Sequence, residues 1–149
     1  MARAPYQVLI FPYIKNKQGF LEYAIFRRSD GNYWQPITGG GEKGETPEEA
    51  ARREIQEEVG ITKDCNITAL DSKAYIPVIG VTGEYTWGDD VFVIPEYTFG
   101  VEVNNKHLEL SEEHEEYRWV NYEEAVKMLK WDSNKNALWE LNERLMRKH

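Results

Sequence analysis

The sequence predicts an α/β fold, a helix–sheet–helix sandwich, and three observations predict it. β-rich apolar runs recur from Tyr6 to Val120. A sharply delimited helix interrupts them between Thr46 and Gly60, and two helical patterns follow the last of them. With 149 residues and no repeat, low-complexity tract or linker, the chain is expected to form one domain over 1–149.

Tyr6 to Tyr13 is the first strand, carrying Val8, Leu9, Ile10 and Phe11, and Lys15 to Gly19 reads as a turn. Leu21 to Arg27 is the second, with Tyr23, Ile25 and Arg27 on one face and Glu22, Ala24 and Phe26 on the other. Ser29 to Asn32 turns the chain into Tyr33-Trp34-Gln35-Pro36-Ile37-Thr38. Beyond the first helix, Ile67 to Ile79 reads as extended and Gly80 to Asp90, rich in glycine and aspartate, as a mobile loop. One long strand is expected from about Val91 to Val103, and a short one from Tyr117 to Val120. Asn121 is placed to cap a helix containing Ala125, Val126, Met128 and Leu129. A last helix from about Ser133 aligns Ala137, Leu138, Leu141 and Leu145, with Ser133 or Asp132 as its cap.

The first helix has the clearest ends. Thr46 is a good N-cap, Pro47 suits the first helical position, Glu49 completes a capping box, and Gly60 supplies a left-handed stop. Ala51, Ile55 and Val59 form its apolar stripe. Glu54, Glu57 and Glu58 crowd onto an adjoining face, where like charges at this spacing repel. A hard divalent cation offsets that repulsion, because Mg²⁺ and Mn²⁺ prefer carboxylate, carbonyl and water oxygens. Arg53 can orient a carboxylate, and Glu45 and the Gly39 to Gly41 carbonyls lie in the preceding loop. An ordinary acidic, solvated helix face is the competing reading.

The residues decide between these through a resemblance. Gly39, Glu45, Arg53, Glu54, Ile55, Glu57, Glu58, Gly60 and Ile61 fall at every specified position of the Nudix hydrolase signature. That pattern is Gly, five residues, Glu, seven residues, Arg-Glu, an aliphatic, one residue, Glu-Glu, one residue, Gly, aliphatic. The resemblance implies an α/β/α sandwich with a mixed β-sheet between helices. It implies an enzyme that hydrolyses a nucleoside diphosphate linked to another moiety, with Mg²⁺ held by Gly39, Glu54, Glu57 and Glu58 and Mn²⁺ as a substitute. It also implies a further glutamate from a late loop, for which Glu113 is chosen over Glu112. Glu113 would then complete the metal site or act as base beside Glu54 and Glu57, with Arg53 holding the carboxylates.

A second likeness is patchier. Trp34-Gln35 before Thr38-Gly39, Glu113-His114 before Tyr117-Arg118-Trp119, and Trp131-x-Ser133-Asn134 together resemble the dihydroneopterin triphosphate pyrophosphatases, a Nudix subfamily that also accepts dATP. Transferred by position, Arg3, Arg27, Thr38 and Ser133 contact substrate. Tyr75 to Val91 departs from the subfamily pattern. Nucleoside triphosphates at large and dinucleoside polyphosphates are the competing substrates, and a nucleotide-binding module without activity is the competing class.

The remaining candidates rest on the residues themselves. Arg27 ends a strand close to the glycine loop, where its fork could grip two phosphate oxygens. Trp34 leads the candidates for stacking on a flat heterocycle, ahead of Tyr33, Trp87, Tyr75 and Tyr97. His114, among acids, reads as a charge partner or an acid–base group. The net charge of −8 argues against a nucleic-acid partner, and a small polyphosphate remains compatible if metal ions and placed arginines reverse the local sign. No run of the chain reads as a membrane helix, and the start reads as a strand and not a signal peptide. The single Cys65 excludes an internal disulfide and favours a reducing compartment, hence the cytoplasm. A homodimer is an expectation from the superfamily resemblance alone.

Overall fold

The structure is a computed structural model that describes residues 2–62, 64–112 and 114–147. Its elements in chain order are β1 (Arg3–Lys15), β2 (Leu21–Arg28), β3 (Trp34–Gln35), β4 (Ile37–Glu42), α1 (Pro47–Val59), β5 (Asn66–Pro77), α2 (Val78–Thr82), β6 (Val93–Glu102), β7 (His114–Val120), α3 (Tyr122–Met128) and α4 (Asp132–Met146).

The strands form a seven-stranded mixed sheet. The order β3-β2-β1-β6-β5 makes its spine, β4 pairs with β1, and β7 pairs with β2. β1 runs parallel to β6 and antiparallel to β2 and β4. Alternation along β1 divides the apolar side chains between two cores. Val8 and Ile10 pack with Ala50, Ala51, Ile55 and Val59 of α1, while Leu9 and Phe11 pack with Ala137, Leu138 and Leu141 of α4. The α/β/α sandwich with a mixed sheet is the fold expected from the sequence.

Each helix end has a local cause. Thr46 and Glu49 form both halves of the capping box, and Gly60 ends α1 at φ 75°. Asn121 caps α3 by accepting from the Glu124 amide. α4 differs from expectation, because its N-cap is Trp131 and neither Ser133 nor Asp132 caps it with a side chain. The extended run also stops early. Val78 to Thr82 turn into the short α2, which ends on left-handed Gly83 at φ 80°.

α4 is fastened to β5 by Glu140. Its carboxylate accepts from the Asp71 and Ser72 amides at 2.8 and 2.7 Å and from the Ser72 hydroxyl at 2.6 Å. These contacts occupy the point where the β5–β6 register shifts between Ala69 and Lys73. Beneath α4, a Cβ on Gly100 would lie 2.6 Å from a Leu141 methyl, so the helix rests directly on the β6 backbone.

Candidate active site

Arg53 is the centre of the site. Its Nε and Nη2 hold both oxygens of Glu45 at 2.8 and 3.0 Å, and Nη2 also reaches the Gly40 carbonyl at 2.9 Å. Nη1 meets Glu54 at 2.9 Å and Glu57 at 3.3 Å. One guanidinium thus joins the glycine loop to three acids by hydrogen bonds and to a fourth, Glu42, at 3.4 Å, and the Glu45 hydrogen bonds first of all push its pKa up. Glu58 is held from the other direction, accepting from the Ser111 hydroxyl at 2.6 Å, with His114 Nδ1 3.5 Å away. The His114 ring is buried against Phe26.

Gly39 fits against this cluster for a steric reason, since a Cβ there would collide with the Glu54 carboxyl. Gly41 similarly admits the Tyr6 ring, and Gly40 admits the Arg3 guanidinium. Glu54 is 7 % exposed. Burial pushes its carboxyl up, Arg53 pulls it down, and Glu58 and Glu57 push it up again, leaving it at about 7.

No three His, Cys, Asp or Glu side chains among the described residues are already gathered into a metal-holding group. The donor chemistry nonetheless fits Mg²⁺ or Mn²⁺. Glu54, Glu57, Glu58 and the Gly39 carbonyl offer only hard oxygens, and the buried Glu54 carboxyl gains from a cation beside it.

A cavity of about 800 Å³ opens along these groups. Gly39, Arg53, Glu54, Glu57 and Glu58 line it from the α1 side, and Trp131, Ser133 and Asn134 from the α4 side. The sheet supplies Arg3, Gln7, Thr38, Gly40 and Glu96, and Tyr33 lies at the turn before β3. Arg3 donates to Gln7 at 3.0 Å, and its carbonyl accepts from the Trp87 indole at 2.9 Å. Tyr33 and Trp131 meet edge to face with centroids 6.0 Å apart, and Lys130 Nζ lies 4.7 Å from each ring.

Arg3, Thr38, Gly39, Arg53, Glu54, Glu57, Glu58 and Ser133 are therefore brought together around one cavity. Arg27 and Trp34 are not, and their expected places need correcting. They are cross-strand partners and share the sheet face that α4 covers, and neither lines the cavity. The β7 bulge opposite presents two acids to Arg27, Glu115 at 2.9 Å and Glu116 at 3.0 Å. Trp34 packs into the α4 core with the Arg118 guanidinium 5.2 Å from its ring. Arg28, next along, lines the cavity instead, and Tyr33 and Trp131 supply the aromatic faces. Trp87, Tyr75 and Tyr97 also lie outside the cavity lining. Glu113 lies outside the described residues. Glu112, its competitor, turns its carbonyl to the Ser29 hydroxyl at 2.9 Å.

Gln35 and Asn134, quoted above only as part of the second likeness, also line the cavity, and Glu96 lines it without having been singled out. For Glu96 a signal exists, a lone acid inside the apolar run Val93 to Phe99.

A glycine loop, a buttressed acidic helix and a mixed sheet between helices are the features that the Nudix hydrolase resemblance implies. The NUDIX domain model matches residues 7–140, and the chain belongs to that family of hydrolases. It is 32 % identical to a dihydroneopterin triphosphate diphosphatase of Haemophilus influenzae, over 88 % of this chain and 83 % of that one. It is 28 % identical to an asymmetrical bis(5'-nucleosyl)-tetraphosphatase of Rattus norvegicus, over 80 % of this chain and 78 % of the relative. Among solved structures, a Listeria monocytogenes protein described as a NUDIX hydrolase superposes with a TM-score of 0.85 at 40 % identity, covering 96 % of this chain and 95 % of that one.

Proposed function

We propose that this chain is a Mg²⁺-dependent pyrophosphohydrolase that cleaves a nucleoside triphosphate or dihydroneopterin triphosphate to the monophosphate and pyrophosphate, acting in the cytoplasm as one domain over 1–149. The observation that carries this reading is the Arg53 buttress, which sets Glu54 and Glu57 beside the Gly39–Gly40 backbone at a cavity large enough for a ring and its phosphates. The H. influenzae relative's name supports the pterin substrate.

Glu54, Glu57, Glu58 and the Gly39 carbonyl would hold the cation. When bound, it supplies charge neutralisation at the phosphates and a more acidic water. Glu54 or Glu57 takes the proton of the attacking water, with Glu113 a third choice. The water oxygen bonds to phosphorus as the bridging P–O bond breaks, and pyrophosphate leaves with the electron pair. Arg3, lying over Gly40, meets charge on the phosphates, and the Thr38 and Ser133 hydroxyls donate to the substrate. Arg53 acts by holding the carboxylates.

Cleavage of a dinucleoside polyphosphate is the second reading, favoured by the R. norvegicus relative's name. Pyrophosphate release with Mg²⁺ from dihydroneopterin triphosphate, dGTP and dATP, beside diadenosine tetraphosphate hydrolysis, separates the two. Glu57→Gln and Glu58→Gln are each expected to lower turnover by on the order of 10²-fold or more. Turnover near the parent level in both would remove the site.

A further inference from the structure

Glu96 lies on the sheet face that α4 covers. Alternation along β6 sends Tyr97, Phe99 and Val101 to the α1 core and leaves Ile94, Glu96 and Thr98 buried on the other face. Its Cα is in register with Gln7 on β1, and Gln7 with Gly40 on β4. A row across three strands therefore leads from Glu96 to the glycine loop, and all three residues line the cavity.

A carboxyl is out of place there by ordinary burial rules. Glu96 is 6 % exposed, and no described residue gives its carboxyl a hydrogen bond or counter-charge. Burial alone pushes it up to about 7. On the α4 side of the same cavity, Asn134 is 3 % exposed and its Nδ2 has no partner among the described residues. Buried polar groups of this kind cost stability unless a ligand completes them.

We propose that Glu96 reads the ring of the substrate, and that the ring it selects carries a 2-amino-lactam edge, the ring N–H beside an exocyclic NH₂ that pterin and guanine share. The inference rests on the cavity being a triphosphate site. An ionised carboxylate is acceptor-only, and its two oxygens match two parallel N–H donors. Adenine offers one amino donor beside a ring nitrogen, which would face a carboxylate oxygen lone pair to lone pair. The lactam oxygen next to that edge accepts a donor of the kind Asn134 Nδ2 provides. Tyr33 and Trp131 offer aromatic faces in the same cavity.

The test compares wild type with Glu96→Gln on dihydroneopterin triphosphate, dGTP and dATP by kcat/KM. It also compares them by calorimetry on the α,β-methylene analogues of dGTP and dATP. Wild type should prefer the two 2-amino-lactam substrates over dATP by on the order of 10- to 100-fold, the discrimination of one bidentate pair. A glutamine amide pairs with an amino group beside a ring nitrogen, so Glu96→Gln should lose that factor on dGTP and keep or improve its rate on dATP. Equal losses on both, or no change on either, would overturn the proposal. If wild type cleaves none of the triphosphates, the reaction assigned above fails. The calorimetric preference then decides the ring reading, with a lost dGTP preference supporting it and equal binding of the two analogues overturning it. Should Glu96→Gln not fold, wild-type preference for dATP overturns it and preference for dGTP supports it.

Discussion

Arg53 grips both oxygens of Glu45 with two different nitrogens, at 2.8 and 3.0 Å. The pair spans from the loop before α1 to the middle of that helix, so the loop cannot shift without breaking it. Only a planar fork makes both bonds while a third nitrogen holds Glu54. Arg53→Lys should therefore lower kcat by on the order of 10²-fold with little change in KM, because the carboxylates lose alignment and not their charge. Arg53→Met, which strands two largely buried carboxylates, should also cost about 3 kcal/mol in urea unfolding. An Arg53→Lys enzyme with parent kcat would count against the buttress.

Gly39→Ala tests the close approach of the loop to Glu54. The new methyl would enter the space of the Glu54 carboxyl, so the helix or the side chain must move. Turnover should fall by on the order of 10²-fold, as expected for a small misplacement at a reacting centre. The Mg²⁺ concentration for half-maximal rate should rise with it. Gly44, at φ 92° with nothing near its Cβ position, is the control. Gly44→Ala should cost stability through backbone strain alone and leave the Mg²⁺ requirement unchanged.

Legibility in the sequence followed the range of the interaction. Thr46, Glu49 and Gly60 act within a few residues of themselves, so the ends of α1 could be read directly. The carboxylates could be read because fixed helical spacing puts Glu54, Glu57 and Glu58 on adjoining positions. Arg27 was misplaced although its face partners, Tyr23 and Ile25, were right. What lies opposite that face is set by a bulge in β7, about 90 positions later, and no local pattern announces it. Trp34 followed Arg27 because the two pair across strands. Glu96 was visible as a lone acid in an apolar strand. Its meaning depends on the parallel pairing of β6 with β1, a long-range fact.

The mouth of the cavity yields a kinetic prediction. Trp131 is 46 % exposed beside Tyr33, so its ring is free to take another flat ring. Trp131→Ala should raise KM about tenfold for ring-bearing triphosphates, the effect of losing one stacking partner. kcat should stay within about twofold, because the aromatic pair touches neither the carboxylates nor Arg53. Trp34→Ala should instead lower stability by about 2–3 kcal/mol through lost packing, with KM unchanged.

Two carboxylates should make stability bend in opposite directions with pH. Burial raises Glu140, but the Ser72, Asp71 and Arg144 hydrogen bonds outweigh it and bring the group from 4.5 down to about 2. A depressed folded pKa stabilises the fold above the unfolded value, and that contribution is lost as pH falls through 4.5 towards 2. Glu140→Gln should therefore be less stable than wild type by about 2–3 kcal/mol at pH 7, with the gap closing near pH 2. Glu96 has the reverse sign, since burial lifts it from 4.5 to about 7. The fold then holds its proton more tightly than the unfolded chain, so stability is full below 4.5 and declines as pH rises through 7. Glu96→Gln should match wild type at pH 4 and exceed it by about 3 kcal/mol at pH 8. Urea midpoints for the three proteins from pH 2.5 to 8 check both signs at once. Wild type and Glu96→Gln curves that run parallel over that range would mean that the Glu96 carboxyl has a partner in the folded protein.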